Sequence, residues 1–242
     1  MFRLGSGFNI LAYMIFIEDT QALGLTGATS VSRVGGGSRC MLFFTGGSNL
    51  FQSNIYSEFI EVLESKDIDV YDVPFNYLVS QQDVHELNSK YNYDYDSVNV
   101  LGHSSGCTTM LNQCGDLHGI KDVFLLDPVN TNFIDNSFSE SVGNYHSLSF
   151  IHAMKSYKIT FDPFGLPFIP LFRLNAADLD IGNEPEVNEL DIENYGHSDI
   201  LNQPLSDFMH NTRLSVGNKN RGAETKQKYF GTILSFILSV MD

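Results

Sequence analysis

The chain has 242 residues, of which 43% are hydrophobic and 18% charged, with 19 Phe and no Trp, a length and mix that bury one sizeable core and exclude a disordered or low-complexity protein. Its 29 acidic against 14 basic residues leave a formal net charge of -15, which repels a phosphate backbone and gives no polybasic attraction to anionic lipid. Nucleic acid is disfavoured as a partner, and any transient contact with a lipid or membrane surface would rest on exposed apolar groups.

The first apolar run, "NILAYMIFIEDT" at 9–20, falls short of the ~20 residues a spanning helix needs. Its aromatic and β-branched content reads as a first strand rather than a signal peptide. From residue 40 onward, short apolar runs alternate with amphipathic stretches, as in a parallel sheet covered by helices. "RCMLFFTGG" is a buried strand ending in glycines. "NIYSEFIEVLESK" puts Ile55, Phe59, Ile60 and Leu63 on one helical face, and "DIDVYDVPF" returns to strand. A second crossover runs through "SQQDVHELNSKYN", capped by Ser80, to the strand "DSVNVLGH".

"SSGCTTMLNQC" reads as a helix, "KDVFLLDPV" as another buried strand, and "FIPLFRLN" and "ELDIENYGH" as two more. Phe230, Ile233, Leu234, Ile237 and Leu238 mark a closing amphipathic helix. Regular alternation lapses over residues 129–167, too long for a plain connection and read as a lid or pocket segment of a single 1–242 domain. Cys40, Cys107 and Cys114 are odd in number and lack C-x-x-C spacing. They read as free, partly buried thiols, which favours a reducing compartment.

Gly102-His103-Ser104-Ser105-Gly106 stands between a strand and a helix, the setting in which G-x-S-x-G forms a nucleophile elbow. An unactivated serine hydroxyl needs a base to take its proton and an acid to orient that base. Of the seven histidines, His197 in "ENYGHSDIL" is best placed as base. His85 and His118 lie on polar segments, His146 and His152 fall in the irregular region, and His103 adjoins the serine but points away from it. Two carboxylates suit the acid: Asp127 at the end of "LLDPV", and Asp178 after the following strand. Backbone N–H groups of Gly47 or Ser48, in the turn "FFTGGSN", and of Ser105, at the start of the helix, are the expected oxyanion donors.

Taken together, these motifs resemble an α/β-hydrolase, and more narrowly the chlorophyllase branch with its relatives among platelet-activating-factor acetylhydrolases, over roughly residues 40–205. "SNIYSEFIEVL" is similar to a helical run of plant chlorophyllases, the elbow to their G-H-S-R-G-G, "LLDPVN" to their L-D-P-V acid segment, and "YGHSDIL" to their Y-G-H-x-D-x-L. The resemblance implies a mostly parallel central sheet with helices on both faces, and Ser104, Asp127 and His197 as the triad. Ser105 and Cys107 replace the arginine and second glycine of the plant elbow, so chlorophyll does not follow as substrate. The expected function is a serine carboxylic-ester hydrolase, without cofactor, acting on a small apolar, lipid-like ester through an acyl-enzyme. Chlorophyllase-type cleavage of a phytyl ester is its sharp form, and a lipase- or phospholipase-like acyl esterase the broad one. A hydrolase-fold protein that binds a small ligand with little turnover is the alternative. Metal chemistry is disfavoured, since "HEL" at His85 lacks the second histidine of H-E-x-x-H.

Overall fold

The computed structural model describes residues 26–27, 39–47, 53–74, 76–90, 98–129, 145–156, 173–181, 185–212 and 215–242. The expected strand at 9–20, Ser48, most of the 129–167 segment and the start of "FIPLFRLN" lie outside these residues.

Seven strands form one sheet in the order β1-β3-β2-β4-β5-β6-β7. They are β1 (Thr26–Gly27), β2 (Arg39–Phe44), β3 (Ile68–Asp72), β4 (Val98–His103), β5 (Ile120–Leu126), β6 (Ser147–Ala153) and β7 (Glu186–Ile192). All neighbours from β3 to β7 pair in parallel, and only the two-residue β1 is antiparallel. Parallel neighbours require crossovers. Here α1 (Ser57–Glu64, entered through a 3₁₀ turn at Ser53–Tyr56) links β2 to β3, α2 (Gln81–Lys90) links β3 to β4, and α3 (Ser105–Cys114) links β4 to β5. Two further helices close the chain, α4 (Gln203–Asn211) and α5 (Ala223–Met241).

Period-two alternation of apolar residues builds a core on each face of the sheet. Cys40, Leu42, Phe44, Val100, Val123, Leu125 and Phe150 face α2 and α3, whose Val84, Leu87, Cys107 and Met110 meet them. Met41, Phe43, Leu101, Phe124, Leu126 and Ile151 face the other way, onto Phe59, Ile60 and Leu63 of α1 and Tyr229, Phe230, Ile233 and Ile237 of α5. This is an α/β-hydrolase fold, a mostly parallel sheet with helices on both faces. Ser80 caps α2 as expected: its Oγ accepts from Asp83 N–H at 3.3 Å while the Asp83 carboxylate takes the Ser80 N–H at 2.8 Å.

The lapse in alternation expected at 129–167 is corrected in part, because β6 runs through it with every residue from Ser147 to Ala153 buried. Ser147, Ser149 and His152 interrupt β6 with polar residues, so the strand lacks a continuous apolar run despite lying inside the sheet. Helix α4 was also not expected from the sequence. Among the described residues no helix is long and apolar enough to cross a membrane.

The chain moves outward from β2 to β3, then crosses back to place β4 on the other side of β2. Such a reversal opens a crevice at the carboxyl ends of the two strands flanking it. The Thr45–Gly47 turn and Ser104 both emerge there. Phe124, 0% exposed at the centre of β5, tests the core beneath the crevice. Phe124→Ala is expected to lower unfolding free energy by about 3–5 kcal/mol, measured by urea denaturation with an unchanged slope.

Candidate active site

Ser104 is the hinge between β4 and α3, at φ 58 and ψ -130, a region that side chains rarely adopt and that costs about 1–3 kcal/mol. The surrounding bonds impose it: Ser104 N–H donates to Leu126 O at 3.1 Å, and Ser104 O accepts from Cys107 N–H at 3.2 Å and Val129 N–H at 3.3 Å. The flanking glycines follow from close packing. A Cβ at Gly106 would lie 2.3 Å from Thr45 O, and one at Gly102 would lie 2.7 Å from Cys107 Cα. Both contacts are backbone, so a side chain at either position would push helix from strand.

His197 comes from the far side of the site, in a 3₁₀ turn (His197–Ile200) after β7. Its Nε2 lies 2.8 Å from Ser104 Oγ, and its Nδ1 lies 2.5 Å from Asp127 Oδ2. Asp127 ends β5 at φ 45, where its N–H donates to Ile151 O at 2.7 Å and its Oδ1 accepts from Ala153 N–H at 3.2 Å. Burial pushes its carboxyl pKa up, but the His197 hydrogen bond and charge, with help from the nearby Ser156 hydroxyl, outweigh it and leave the group below its ordinary value. An ionised Asp127 accepts the proton on Nδ1. Nε2 is then free to accept the Ser104 hydroxyl proton.

Two supports behind this chain are illegible in the sequence. Tyr56, 1% exposed, takes Gly46 N–H on its oxygen at 3.0 Å and sits 2.9 Å from His103 Nδ1. With the Tyr56 oxygen already accepting, its own proton goes to Nδ1, so neutral His103 carries its hydrogen on Nε2. His103 bonds to Tyr56, and its ring packs at 4.7 Å between centroids on that of His197. Burial, then the nearby His197, push the His103 pKa down to about 3. The second support is Asp199, which accepts Gly196 N–H at 2.8 Å and Asn218 N–H at 2.9 Å on Oδ2, with His210 Nε2 at 2.7 Å from Oδ1. These bonds fix the backbone that presents His197. Asp199 stands two places after His197 in "GHSD", where an acceptor for the turn's entering N–H is the available signal.

Gly47 follows β2 in a turn at φ 66, and Gly46 N–H is occupied by Tyr56, so among the described turn residues Gly47 is the one that fits the expected donor. Ser48 lies outside the described residues, and Ser105 opens α3. Asp178, the alternative acid, is exposed. Its Oδ2 accepts from Asn175 N at 2.8 Å and Asn175 Nδ2 at 3.1 Å, closing a capping box on a 3₁₀ turn. It is not the carboxylate on His197. His85 sits on the exposed face of α2, 3.5 Å from Gln81 Nε2. Cys40, Cys107 and Cys114 are buried and in no disulfide among the described residues, with burial pushing the Cys40 and Cys114 thiols up to about 12. Among the described residues no group of His, Cys, Asp and Glu is arranged to hold a metal ion.

No family model and no curated relative matches the sequence. Solved structures with a similar chain path include a thermophilic esterase from the Planctomycetes species Thermogutta terrifontis with butyrate bound (11% identity, 87% of this chain and 86% of that one, TM-score 0.49). Others are a sugar hydrolase from Lactococcus lactis (12%, 87% and 93%, 0.47) and the esterase domain of a Rhodothermus marinus protein (14%, 74% and 88%, 0.41).

The buried ionisable groups make stability sensitive to acid. Unfolded His103 binds a proton below about pH 6.5, whereas folded His103 does so only near pH 3. Between those values the unfolded chain holds more protons, so stability falls as pH falls. Asp127 acts with the same sign at lower pH: its stabilisation is present above the unfolded carboxyl value and is lost as pH drops through the depressed folded one. His103→Gln is expected to flatten the loss between about pH 6.5 and 3 while leaving the more acidic limb, as read from unfolding midpoints across that range.

Proposed function

We propose that the chain is a serine-dependent carboxylic-ester hydrolase working through an acyl-enzyme. The observation that carries this reading is the continuous path from Ser104 Oγ to His197 Nε2 at 2.8 Å and from His197 Nδ1 to Asp127 at 2.5 Å, with the serine held at the apex of a strand-to-helix turn. Ser104 Oγ attacks the ester carbonyl as His197 takes its proton. Asp127 keeps the imidazole in the tautomer that can accept it. Negative charge developing on the carbonyl oxygen is met by the N–H of Ser105 and that of Gly47. The tetrahedral intermediate collapses as His197 returns the proton to the leaving alcohol, and water then repeats the sequence on the acyl-enzyme to release the acid.

The substrate class we favour is an apolar, lipid-like ester, drawing on the chlorophyllase-like "LLDPVN" and "YGHSDIL" around the acid and base. The phytyl ester of chlorophyll is the sharp member of that class, and acylglycerols and phospholipids are the broader ones. A panel holding chlorophyll, short nitrophenyl esters and a phospholipid separates them by which is turned over. Labelling of Ser104 by a fluorophosphonate tests the chemistry independently of substrate. Slow labelling, no faster than that of an ordinary serine, would leave a binding protein instead.

Ser104→Ala is expected to lose ester hydrolysis by several orders of magnitude, since the members of such a triad act as a unit, while Ser105→Ala, one place beyond the apex, keeps much of it. Near wild-type turnover in a folded Ser104→Ala variant would end this reading. Asp127→Asn offers an N–H to imidazole and favours the wrong tautomer, so turnover should fall by roughly four powers of ten. Asp178→Asn should be nearly normal in activity and lose at most about 1 kcal/mol of stability. Kinetics of both variants, with circular dichroism for folding, distinguish the two carboxylates.

A further inference from the structure

At the carboxyl end of the sheet, Arg173 forms an isolated antiparallel bridge with Val129, two residues beyond Asp127. Val129 N–H is bonded to Ser104 O, and Leu174 N–H donates to Pro128 O at 3.0 Å, so the Arg173 backbone is tied to the segment linking the acid to the elbow. Its half-buried guanidinium reaches across the end of β6, where Nη2 donates to Ala153 O at 3.2 Å and Nη1 to Met154 Sδ at 3.6 Å. Ala153 N–H is itself a donor to the Asp127 carboxylate. The cation thus stands one residue away from the group that orients the base.

Neither acceptor on Arg173 carries a charge, and a thioether sulfur is a weak acceptor at best. Among the described residues no carboxylate forms an ion pair with it. Glu189 and Asp191 are carried by the adjacent strand β7, and Asp127 is engaged with His197. In a chain with 29 acidic and 14 basic residues, a guanidinium that no carboxylate pairs among the described residues is unexpected at the active end of the sheet. A second polar group nearby lacks a partner. His152, 5% exposed on β6, has its Nδ1 buried without a hydrogen bond among the described residues; burial, then the Arg173 charge, push its pKa below the ordinary histidine value. Buried polar atoms normally find partners.

We infer that Arg173 is a recognition residue for a carboxylate carried by the substrate, with His152 beside it, so that the ester cleaved at Ser104 is amphiphilic rather than wholly apolar. This rests on the hydrolase reading above. A guanidinium takes a carboxylate through paired N–H donors in a geometry that a lysine ammonium does not reproduce. The chemistry at Ser104 is unchanged: water adds, the acyl–oxygen bond breaks, acid and alcohol leave, and the distant carboxylate keeps its charge.

The test compares two pairs of esters on the full chain. 4-Nitrophenyl pentanoate against mono-4-nitrophenyl adipate places the anion on the acyl side, and phenyl butyrate against 3-(butyryloxy)benzoate places it on the alcohol side. In one pair the wild type is expected to favour the anionic ester in kcat/KM. Arg173→Gln should cut that ester by about 10- to 100-fold, the range of a charged hydrogen bond, while changing the neutral one by less than about 3-fold; Arg173→Lys should recover part of the loss. Equal losses on neutral and anionic esters would mean that Arg173 only braces β6, and a wild type indifferent to the anion in both pairs would likewise overturn the inference. Absence of Ser104-dependent hydrolysis of all four would instead sink the hydrolase reading. Calorimetric binding of the preferred anionic ester to Ser104→Ala, which cannot turn it over, with and without Arg173→Gln then decides the anion site separately: binding lost in the double variant upholds it, and no binding, or equal binding, removes it.

Discussion

Ser104 holds a backbone conformation that an isolated chain would avoid, and the rest of the site depends on it. At φ 58 and ψ -130 the residue carries a local cost of about 1–3 kcal/mol. Strand β5, the segment just beyond it and helix α3 offset it by giving its backbone N–H and carbonyl three hydrogen bonds. The same conformation makes α3 leave β4 so abruptly that Gly106 lies against the Phe44 and Thr45 carbonyls. Strand β2 is therefore gripped by the helix after β4, which brings the Thr45–Gly47 turn beside the serine. The position of that turn is a packing consequence of the elbow.

Around this fixed point, charge is handled unevenly. Asp127 is buried and ionised, and it receives N–H groups from Ala153 and His197, the kind of pairing a buried carboxylate needs to remain charged. The chain formed by Gly46, Tyr56 and His103 is neutral throughout, since burial raises the Tyr56 pKa and lowers that of His103. A neutral ring against His197 costs less than a second imidazolium would. The base therefore has an anion on one side and an uncharged ring on another, so the imidazolium formed as Ser104 gives up its proton meets a carboxylate and no second cation.

The parts of this structure that were legible in the sequence are those set by short-range patterns. Strands β2 and β5 carry apolar runs over Cys40–Phe44 and Val123–Leu126, β4 alternates about Asn99, α1 and α5 show helical spacing, and the glycines flanking Ser104 report a steric demand that any such turn makes. Asp127 and His197 were legible because each directly follows or lies just beyond a strand. Strand β6 was hidden, for its Ser147, Ser149 and His152 are polar yet buried by neighbours 20 or more positions away in sequence, as in the Asp122 to Ser147 bond of 2.7 Å. Tyr56 was read only as part of a helical run, and its hydroxyl lies 47 positions from its partner His103. No local period marks a contact of that kind. Asp199 was inside a quoted motif, but the motif gave it no partner, and both Asn218 and His210 come from later segments.

The same distinction between local contact and long-range field bears on the substrate. A net charge of -15 repels an anionic ester over distances comparable with the Debye length, about 8 Å at physiological ionic strength. A half-buried guanidinium acts by direct hydrogen bonds at much shorter range and is screened far less. The two effects therefore separate kinetically: added salt should ease the approach of an anionic ester while leaving its contact with Arg173 largely intact. For a wholly apolar ester neither step carries a charge, and salt acts only through the cost of exposing apolar surface. The net acidity and the inferred role of Arg173 are thus compatible, because one would set the rate of encounter and the other the stability of the bound pose.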